Sequence, residues 1–390
     1  MNTNVVIIGC GLNGLLLAKS LEAHDINTTI IEHGEINATI NDNRCIALSH
    51  QAYQMLLYLN VFSNSIKNKH GVINDIYISC ANSLVHYNNK EINKGKHPLG
   101  YTISYTVLKK MLLDSVLSSK KITILQKTTY TKIQINSSMA VISTSNNLTI
   151  RTPLIVCAEG KNSKLQNAVN IGSYIFDYRQ LCITFHIVHT QPNNNMSFER
   201  FGSDMPFALL PTANKFESSL ILLVPKNCNQ DIANMNEQLT IELVNKIIPR
   251  PLGTALKSMK KNCFPLTLNI AKKYYKKRIV LAGDALHGIH PVTGQGFNIA
   301  TQDTLSLVTI LREALDNGID IGSVEVLSKF YKNRRINNAA IIHYTDKMVR
   351  TFSGKKQKIL LQQLVANSLN ILNKSTDVKA KIVSIINAAY

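Results

Sequence analysis

Residues 5–14 have the sequence Val-Val-Ile-Ile-Gly-Cys-Gly-Leu-Asn-Gly. The β-branched apolar run at residues 5–8 is typical of a parallel strand that is buried on both faces. In the G-x-G-x-x-G spacing that follows, Gly9 permits a tight turn, Gly11 lets backbone approach a pyrophosphate, and Gly14 lets helix and strand pack closely. Apolar residues continue after Gly14, so the stretch predicts a strand, a glycine loop and a helix that together bind a dinucleotide.

An acidic residue ends the next predicted strand. Residues 28–31 read Thr-Thr-Ile-Ile and are followed by Glu32. An acid about 20 positions beyond the glycine loop is where the ribose hydroxyls of a dinucleotide are held. Alone, Glu32 is equally well explained as a solvated strand end. Its position after the glycine loop favours the ribose contact.

A second glycine-containing stretch lies late in the chain. Residues 278–298 read Arg-Ile-Val-Leu-Ala-Gly-Asp-Ala-Leu-His-Gly-Ile-His-Pro-Val-Thr-Gly-Gln-Gly-Phe-Asn. They predict a short strand, a turn at Gly283-Asp284, a loop containing Pro291, and a helix that begins near Gly296. Unpaired N–H groups and the positive dipole end of such a helix can hold an anion or an electron-rich ring edge. An ordinary strand–turn–helix connection is the alternative.

Two further features suit a dinucleotide site. Residues 154–158 form an apolar strand that ends at Glu159-Gly160, and Ser163 is placed to cap a following helix. Arg44 is a candidate contact to a phosphate or to the ring of a cofactor, although a plain surface arginine is the alternative. The chain therefore carries acidic or basic groups after several of its predicted strands.

Composition narrows the class of protein. The formal net charge is +19 at pH 7, which suits an anionic membrane surface, an anionic substrate or nucleic acid. The basic residues are scattered and no arginine-rich arm is present, so we do not expect nucleic-acid binding. The seven cysteines are far apart and form no C-x-x-C pair, which predicts reduced thiols, a cytoplasmic protein and no metal site. We see no signal peptide and no apolar run long enough to cross a bilayer.

The chain divides into three predicted regions. Residues 180–264 read as short strands between polar loops, which favours a mostly antiparallel sheet covering the reactive side of the cofactor. Residues 82–96 read as a polar, turn-rich loop. We predict an α/β protein in which this sheet is inserted into a Rossmann-like domain. The predicted boundaries are 1–70, 100–178 and 268–325 for the Rossmann-like domain, 71–99 and 179–267 for the substrate domain, and 326–390 for C-terminal helices.

The end of the chain has two interpretations. Residues 355–358 are Lys-Lys-Gln-Lys and precede an apolar pattern with helical spacing over residues 359–372. Such a helix can lie on an anionic membrane surface. It can also pack on its own domain, and we favour this second interpretation slightly.

Taken together, the motifs resemble the flavoprotein aromatic hydroxylases of the para-hydroxybenzoate hydroxylase class, and within it the ubiquinone-biosynthesis branch. The resemblance runs from about Val5 to Phe352. The residues that match the class are Gly9, Gly11, Gly14, Glu159, Gly160, Gly283, Asp284, His287, Pro291, Gly294, Gly296 and Asn298. The residues that match the branch are Arg44, Ala47, Leu48, Ser49, His290, Gln295, Thr345, Asp346, Phe352 and the stretch 201–211.

The resemblance implies a monooxygenase that uses FAD, NADH or NADPH as electron donor, and O2. It implies hydroxylation of the aromatic ring of a polyprenylated phenol in ubiquinone biosynthesis, through a flavin hydroperoxide. It also implies that other proteins of that pathway are possible partners and that the protein can lie on the inner face of the membrane. The implied FAD contacts are Gly9, Gly11, Gly14, Glu32, Arg44, Glu159, Gly160, Gly283, Asp284, Pro291, Gly294, Gly296, Phe297 and Asn298.

Matching positions also imply what these contacts do. The first three glycines face the pyrophosphate and Glu32 the adenosine ribose, while Asp284 meets the ribityl or pyrophosphate region. Residues 291–298 line the isoalloxazine ring, where the dipole of the following helix stabilises negative charge. Because the reactive chemistry belongs to the cofactor, we assign no catalytic side chain and interpret His287 and His290 as structural.

Some residues depart from the class. Glu159 stands where the class usually has aspartate, and the helix near Leu108 lacks an arginine that often reaches the FAD phosphates. These departures concern nicotinamide handling more than FAD binding. A same-fold monooxygenase acting on another aromatic compound is an alternative. A non-catalytic flavoprotein subunit of a biosynthetic complex is a second one.

Overall fold

The computed structural model describes residues 1–36, 42, 44–63, 66, 68–80, 82–202, 205–226, 232, 235–353, 373 and 375–380. Its strands are β1 (Val5–Ile8), β2 (Thr28–Ile31), β3 (Cys45–Leu48), β4 (His70–Ile73), β5 (Asp75–Cys80), β6 (Ser83–Asn88), β7 (Gly100–Ser104), β8 (Ile122–Leu125), β9 (Tyr130–Ile135), β10 (Ala140–Thr144), β11 (Thr149–Thr152), β12 (Leu154–Cys157), β13 (Ser173–His189), β14 (Met196–Phe201), β15 (Phe207–Pro211), β16 (Glu217–Pro225), β17 (Ala255–Ala271), β18 (Tyr275–Lys276), β19 (Ile279–Leu281) and β20 (His287–Gly288). Its helices are α1 (Leu12–Glu22), α2 (His50–Tyr58), α3 (Asn89–Asn93), α4 (Tyr105–Leu117), α5 (Lys164–Ala168), α6 (Glu237–Ile247), α7 (Gly296–Asp316) and α8 (Val324–Ser353).

One sheet has the order β18-β19-β12-β1-β2-β8, and it is parallel from β19 to β8. Strands β1, β2 and β12 are buried along their whole length, as expected of a parallel sheet covered on both faces. Because β19, β12 and β1 are parallel neighbours, their carboxyl ends meet at one edge. That edge carries Gly9, Glu159 and Gly283, which are separated widely along the chain.

A second sheet has the order β20-β17-β13-β16-β15-β14-β5-β6. All of its neighbouring strands pair antiparallel except β14 and β5, which run parallel. The expectation of an α/β fold with a mostly antiparallel inserted sheet is therefore confirmed. Two smaller antiparallel sheets, β11-β10-β9 and β3-β7-β4, complete the pairing.

The expectation of a loop at residues 82–96 is wrong. Residues 83–88 form β6, followed by α3. Ser83, Val85 and Tyr87 are buried in alternation with more exposed residues, so the strand has one inward face. Its high content of serine, histidine and asparagine hid this alternation in the sequence.

The boundaries of the domains stay a prediction. The proposed boundary at 178/179 falls within β13, and the one at 267/268 falls within β17. These two long strands pair with each other over most of their length. The Rossmann-like unit and the substrate sheet are thus connected by continuous strands.

The last described helix is α8, which continues through residue 353 as a single element. The predicted basic cluster and amphipathic helix at 355–372 lie outside the described residues. Among the described helices, none is long and apolar enough to cross a membrane.

Candidate cofactor and substrate site

The first glycine loop has room only for glycine at two positions. A Cβ atom on Gly9, whose φ is +110°, would lie 2.5 Å from the carbonyl oxygen of Ala158. A Cβ atom on Gly14 would lie 2.1 Å from the carbonyl oxygen of Gly9. These contacts bring β1, β12 and α1 together as the glycine pattern predicted.

Gly11, the middle glycine of this loop, is different. A Cβ atom on Gly11 would meet no atom within 4 Å, so this glycine faces open space. Gly11 is also the N-cap of α1, and as a glycine it has no side chain to accept a hydrogen bond from the first turn of that helix. The helix therefore presents free N–H groups and its positive dipole end to the open space, which suits a pyrophosphate.

Glu32 is held beside this loop by backbone donors. Its carboxylate accepts hydrogen bonds from the backbone N–H of Cys10 at 2.7 Å and of Gly34 at 2.9 Å. The His33 ring nitrogen Nδ1 also lies 2.9 Å from Glu32 Oε1. A carboxylate offers about four acceptor positions, so these three partners leave capacity for one ribose hydroxyl. The geometry fits the predicted role, which stays a prediction.

The late motif touches the first loop directly. A Cβ atom on Gly283, whose φ is +59°, would lie 2.1 Å from Nδ2 of Asn13. The side-chain oxygen of Asn13 is buried and has no hydrogen-bond partner among the described residues. A buried acceptor without a donor is costly, so a bound ligand with a hydroxyl or N–H group would satisfy it.

Lys161 is a site residue that the sequence interpretation missed. The Lys161 side chain packs against Gly288: a Cβ atom added to Gly288 would come within 2.6 Å of Lys161 Cε. The Lys161 Nζ donates a hydrogen bond to the Thr267 carbonyl at 3.3 Å. Burial lowers the pKa of Lys161, and the nearby Asp284 carboxylate opposes this effect. The only signal in the sequence was its position next to Gly160. Lys161 therefore brings a cation to the same region as Asp284.

The Glu159 carboxylate makes its hydrogen bonds with neighbouring residues of the protein. Its Oε2 accepts from Ser163 Oγ at 2.6 Å and from the backbone N–H of Leu165 at 2.9 Å. Ser163 caps α5 by accepting from Gln166 N–H, which confirms the predicted cap. The Glu159 carboxylate thus fixes the start of α5, and its contact with FAD stays a prediction. Gly160, at φ +78°, faces open space.

Arg44 is oriented by three neighbours. Its guanidinium donates to both carboxylate oxygens of Asp42, at 2.9 and 2.6 Å to Oδ2. It also lies over the rings of Tyr105 and Phe264, at 5.1 and 4.7 Å from their centroids. Tyr105 begins α4, so Arg44 supplies a cation beside the helix that lacks an arginine. Whether this cation meets a phosphate stays a prediction.

The loop before α7 is held in place by one side chain. Asn298 accepts from Ser49 N–H at 2.9 Å and donates to the carbonyls of Ala47 and Gly294, each at 3.2 Å. No side chain caps the first turn of α7, and a Cβ atom on Gly296 would meet nothing within 4 Å. As at α1, free N–H groups and a positive dipole end face open space.

The two histidines of this motif have structural partners. His287 Nε2 lies 2.5 Å from Asp303 Oδ2, and Asp303 also accepts from Arg334 at 2.7 Å. His290 Nδ1 accepts from the backbone N–H of Val292, and burial lowers the pKa of His290 to about 3. His290 is therefore neutral near pH 7. These contacts support the structural interpretation of both residues.

A narrow cavity lies where this loop meets the eight-stranded sheet. It is partly open to solvent, and the free space between its walls, about 10 Å³, is close to what one water molecule occupies. Apolar side chains form most of its wall. The lining residues are Glu199, Arg200, Phe201, Pro206, Phe207, Ala208, Ile221, Leu223, Pro291 and Val292.

Two helix N-termini beside a shared edge of strand ends suit a dinucleotide cofactor, and similarity to known proteins identifies the class as the FAD-dependent monooxygenases. The chain belongs to the FAD binding domain family, whose model matches residues 2–340. It is similar to the ubiquinone hydroxylase UbiM of Neisseria meningitidis, with 25% identity over 95% of this chain and 82% of that one. It is also similar to the 3-demethoxyubiquinol 3-hydroxylase of Escherichia coli, with 27% identity over 86% of each chain.

A solved structure shows the same fold. The p-nitrophenol 4-monooxygenase PnpA of Pseudomonas putida superposes with a TM-score of 0.81 and 14% identity, covering 100% of this chain and 98% of that one. The expectation of a para-hydroxybenzoate hydroxylase-like fold is thereby confirmed.

Proposed function

We propose that this chain is an FAD-dependent monooxygenase that hydroxylates the aromatic ring of a polyprenylated phenol in ubiquinone biosynthesis. The family match supports the cofactor, and the names of the two relatives support the pathway. The observation that carries the proposal is the apolar lining of the narrow cleft between the Pro291–Val292 loop and the substrate sheet. An apolar wall with few polar groups suits an aromatic ring with a hydrocarbon substituent.

The residues at the shared edge fit FAD. The open faces of Gly11 and Gly296, together with the uncapped helices α1 and α7, would hold the pyrophosphate and an electron-rich edge of the flavin ring. Glu32 would accept from the adenosine ribose, and Asn13 would use its unpaired oxygen. When bound, FAD reduced by NADH or NADPH supplies an electrophilic oxygen atom from O2.

The residues of this chain would position the substrate ring, keep water away from it and supply fixed partial charges. Asn298 holds the loop in one place against β3, which fixes the wall that the substrate ring would meet. The apolar residues of the cleft would keep water from the side of the ring that they contact. The N-terminal N–H groups of α7 would stabilise negative charge that develops in front of them.

The test is hydroxylation by purified protein reconstituted with FAD. A phenol with one or two isoprene units, supplied with NADH or NADPH in air, is expected to yield a product heavier by one oxygen atom. Product formed per NAD(P)H consumed separates hydroxylation from wasteful oxidation of the donor. Oxidation of NAD(P)H without any hydroxylated phenol, over a series of tail lengths, would overturn the proposal.

We also propose that the protein acts in the cytoplasm, on the inner face of the membrane, where lipid-tailed phenols reside. The net charge of +19 supports attraction to anionic lipids. Co-sedimentation of the full chain with anionic vesicles, and not with neutral ones, is the expected result. Association with other ubiquinone-biosynthesis proteins is a further proposal, tested by co-purification of those enzymes from cells.

A further inference from the structure

Glu199 lies in the middle of β14, on the face of the sheet that meets the Pro291–Val292 loop. The preceding residue, Phe198, packs on the opposite face, against the cluster that contains Val244 and Ile247 of α6. Successive side chains of a strand point to opposite faces. Glu199 therefore projects away from α6 and into the region of the cavity that it lines.

The neighbours of Glu199 across the sheet confirm this direction. Ile78 on β5 and Ala208 on β15 are its paired residues, and Ala208 in turn pairs with Ile221 on β16. Residues paired in this way share one face of a sheet. Ile78 and Ile221 both pack in apolar clusters that also include Val292. The small side chain of Ala208 leaves room beside Glu199.

The cavity offers a substrate few polar groups. Among the described residues that line it, Glu199 carries the one carboxyl group, and the other charged residue is Arg200. The Arg200 guanidinium lies over the ring of Phe207, 5.1 Å from its centroid, and Arg200 is exposed. Arg200 and Glu199 are adjacent on a strand and so point to opposite faces. The wall around the Glu199 carboxyl is otherwise apolar.

The Glu199 carboxyl has no hydrogen bond or ion pair with another described residue. Desolvation raises the pKa of Glu199 from 4.5 to about 7. The titratable side chains of the described residues that interact with it are Tyr87 on β6 and Tyr344 on α8, and burial raises the pKa of both phenols. Glu199 is half-buried, and a carboxyl that faces an apolar cleft without a partner is the kind of group that concentrates at functional sites.

We propose that Glu199 is a catalytic residue whose carboxylate accepts the proton of the substrate's phenolic hydroxyl; this inference rests on the proposed function. The O–H bond of the phenol breaks, its proton goes to a carboxylate oxygen of Glu199, and the electron pair stays on the phenol oxygen. The resulting oxyanion donates electron density into the ring, which makes the ring more reactive towards an electrophilic oxygen atom. A general base works best when its pKa lies near the working pH.

The rate test uses Glu199→Gln, which keeps the shape and removes the base. Wild-type kcat/KM is expected to fall as the pH drops through about 7, because protonated Glu199 in the free enzyme cannot accept a proton. Glu199→Gln is expected to lose this dependence and to lower kcat roughly 100-fold. Glu199→Asp, which keeps a carboxyl, should retain the dependence at an intermediate rate. Glu217→Gln is the matched control, because Glu217 lies on the same sheet but lines a different cavity.

A binding test needs no turnover. The probe is 2-prenylphenol, added to the FAD-loaded protein without NAD(P)H, and its Kd is read from the change in flavin absorbance. A hydrogen bond from a phenol to a carboxylate is stronger than one to a neutral carboxyl or amide. Wild-type protein should therefore bind the probe more tightly above pH 7 than below it, and Glu199→Gln should bind with a flat pH response.

The two tests separate this inference from the proposed function. Wild-type hydroxylation of prenylated phenols, with kcat/KM and Kd profiles unchanged in Glu199→Gln, would overturn the role of Glu199 and leave the function standing. Wild-type protein that hydroxylates no prenylated phenol, yet binds the probe with a pH response lost in Glu199→Gln, would overturn the function and support the contact. Equal profiles for Glu199→Gln and Glu199→Asp would also overturn the inference.

Discussion

Gly283 is in direct contact with the side chain of Asn13, and this contact joins the two glycine loops of the protein. The two residues lie on separate strand–loop–helix units, yet an added Cβ on Gly283 would come within 2.1 Å of Asn13 Nδ2. The relative position of α1 and the late motif is therefore set by a close fit that has no spare volume.

Gly283→Ala should loosen this fit and weaken FAD binding at least tenfold. The substitution places a side chain at a positive φ and makes it clash with Asn13. The control is Gly318→Ala, because Gly318 has a similar φ of +66° and an added Cβ there would meet no atom within 4 Å. The control should lose only about 1 kcal/mol from backbone strain and keep its FAD affinity. Thermal unfolding and FAD titration measure the two effects. Equal FAD affinity in both variants would contradict the importance of the contact.

Gly11→Ala should separate folding from cofactor binding. The new methyl group meets no protein atom and the φ of Gly11 is −76°, so the FAD-free protein should keep its melting temperature. FAD affinity should fall at least tenfold, because the methyl group occupies the approach of the pyrophosphate. Gly14→Ala, which would clash with the Gly9 carbonyl, should lower both quantities. A Gly11→Ala protein that binds FAD like wild type would argue against this site for the pyrophosphate.

Asp303→Asn should destabilise the fold by about 3–5 kcal/mol, because it leaves Arg334 and His287 buried with reduced compensation. Burial alone would lower the pKa of His287, but the Asp303 carboxylate raises it. A histidine with a raised pKa contributes stability at low pH that is lost as the pH rises through that pKa. The variant should therefore also lose part of the stability that wild type has at acidic pH.

The matched control for this network is Asp316→Asn, which removes an exposed pair with Arg312 at 3.5 Å. Such a pair contributes less than about 1 kcal/mol. Denaturant unfolding at two pH values measures both variants. Similar losses for the buried and the exposed aspartate would contradict the prediction.

Glu199→Gln should make the protein more stable at pH 8 while leaving its stability at pH 5 nearly unchanged. The pKa of Glu199 is raised from 4.5 to about 7, so the folded state holds the proton more tightly than the unfolded state. Wild-type stability therefore falls as the pH rises from about 4.5 to 7, by about 1–3 kcal/mol after allowance for the partial exposure of the residue. The free energies of unfolding at both pH values test this, and an unchanged difference in the variant would refute it.

The sequence predicted the cofactor edge well because its signals are local. Strand, glycine loop and helix follow one another at residues 5–22, and the glycine spacing has a direct steric reason at Gly9 and Gly14. The antiparallel character of the inserted sheet was also predicted, from short strand-like runs separated by polar loops over residues 180–264. The helix cap at Ser163 was predicted from residue type alone.

The cavity could not be predicted in this way. Glu199 becomes a cavity residue only because β14 pairs with β5, whose residues lie far earlier in the chain, and because Ala208 stands beside it. Lys161 becomes a site residue only because Gly288 has no side chain in the space that the Lys161 side chain occupies. Both depend on long-range pairing and on the absence of a neighbouring side chain, which have no local signature.

The parallel pair of β5 and β14 also sets an order of events during synthesis. The hairpin of β5 and β6 leaves the ribosome first and keeps one edge unpaired until β14 has been made, more than a hundred residues later. Pairing over such a separation is slow because the intervening loop must be closed. An unpaired strand edge invites association with other chains. Slow translation or a chaperone that shelters residues 75–88 should therefore raise the yield of folded protein more than a change in the glycine loops would.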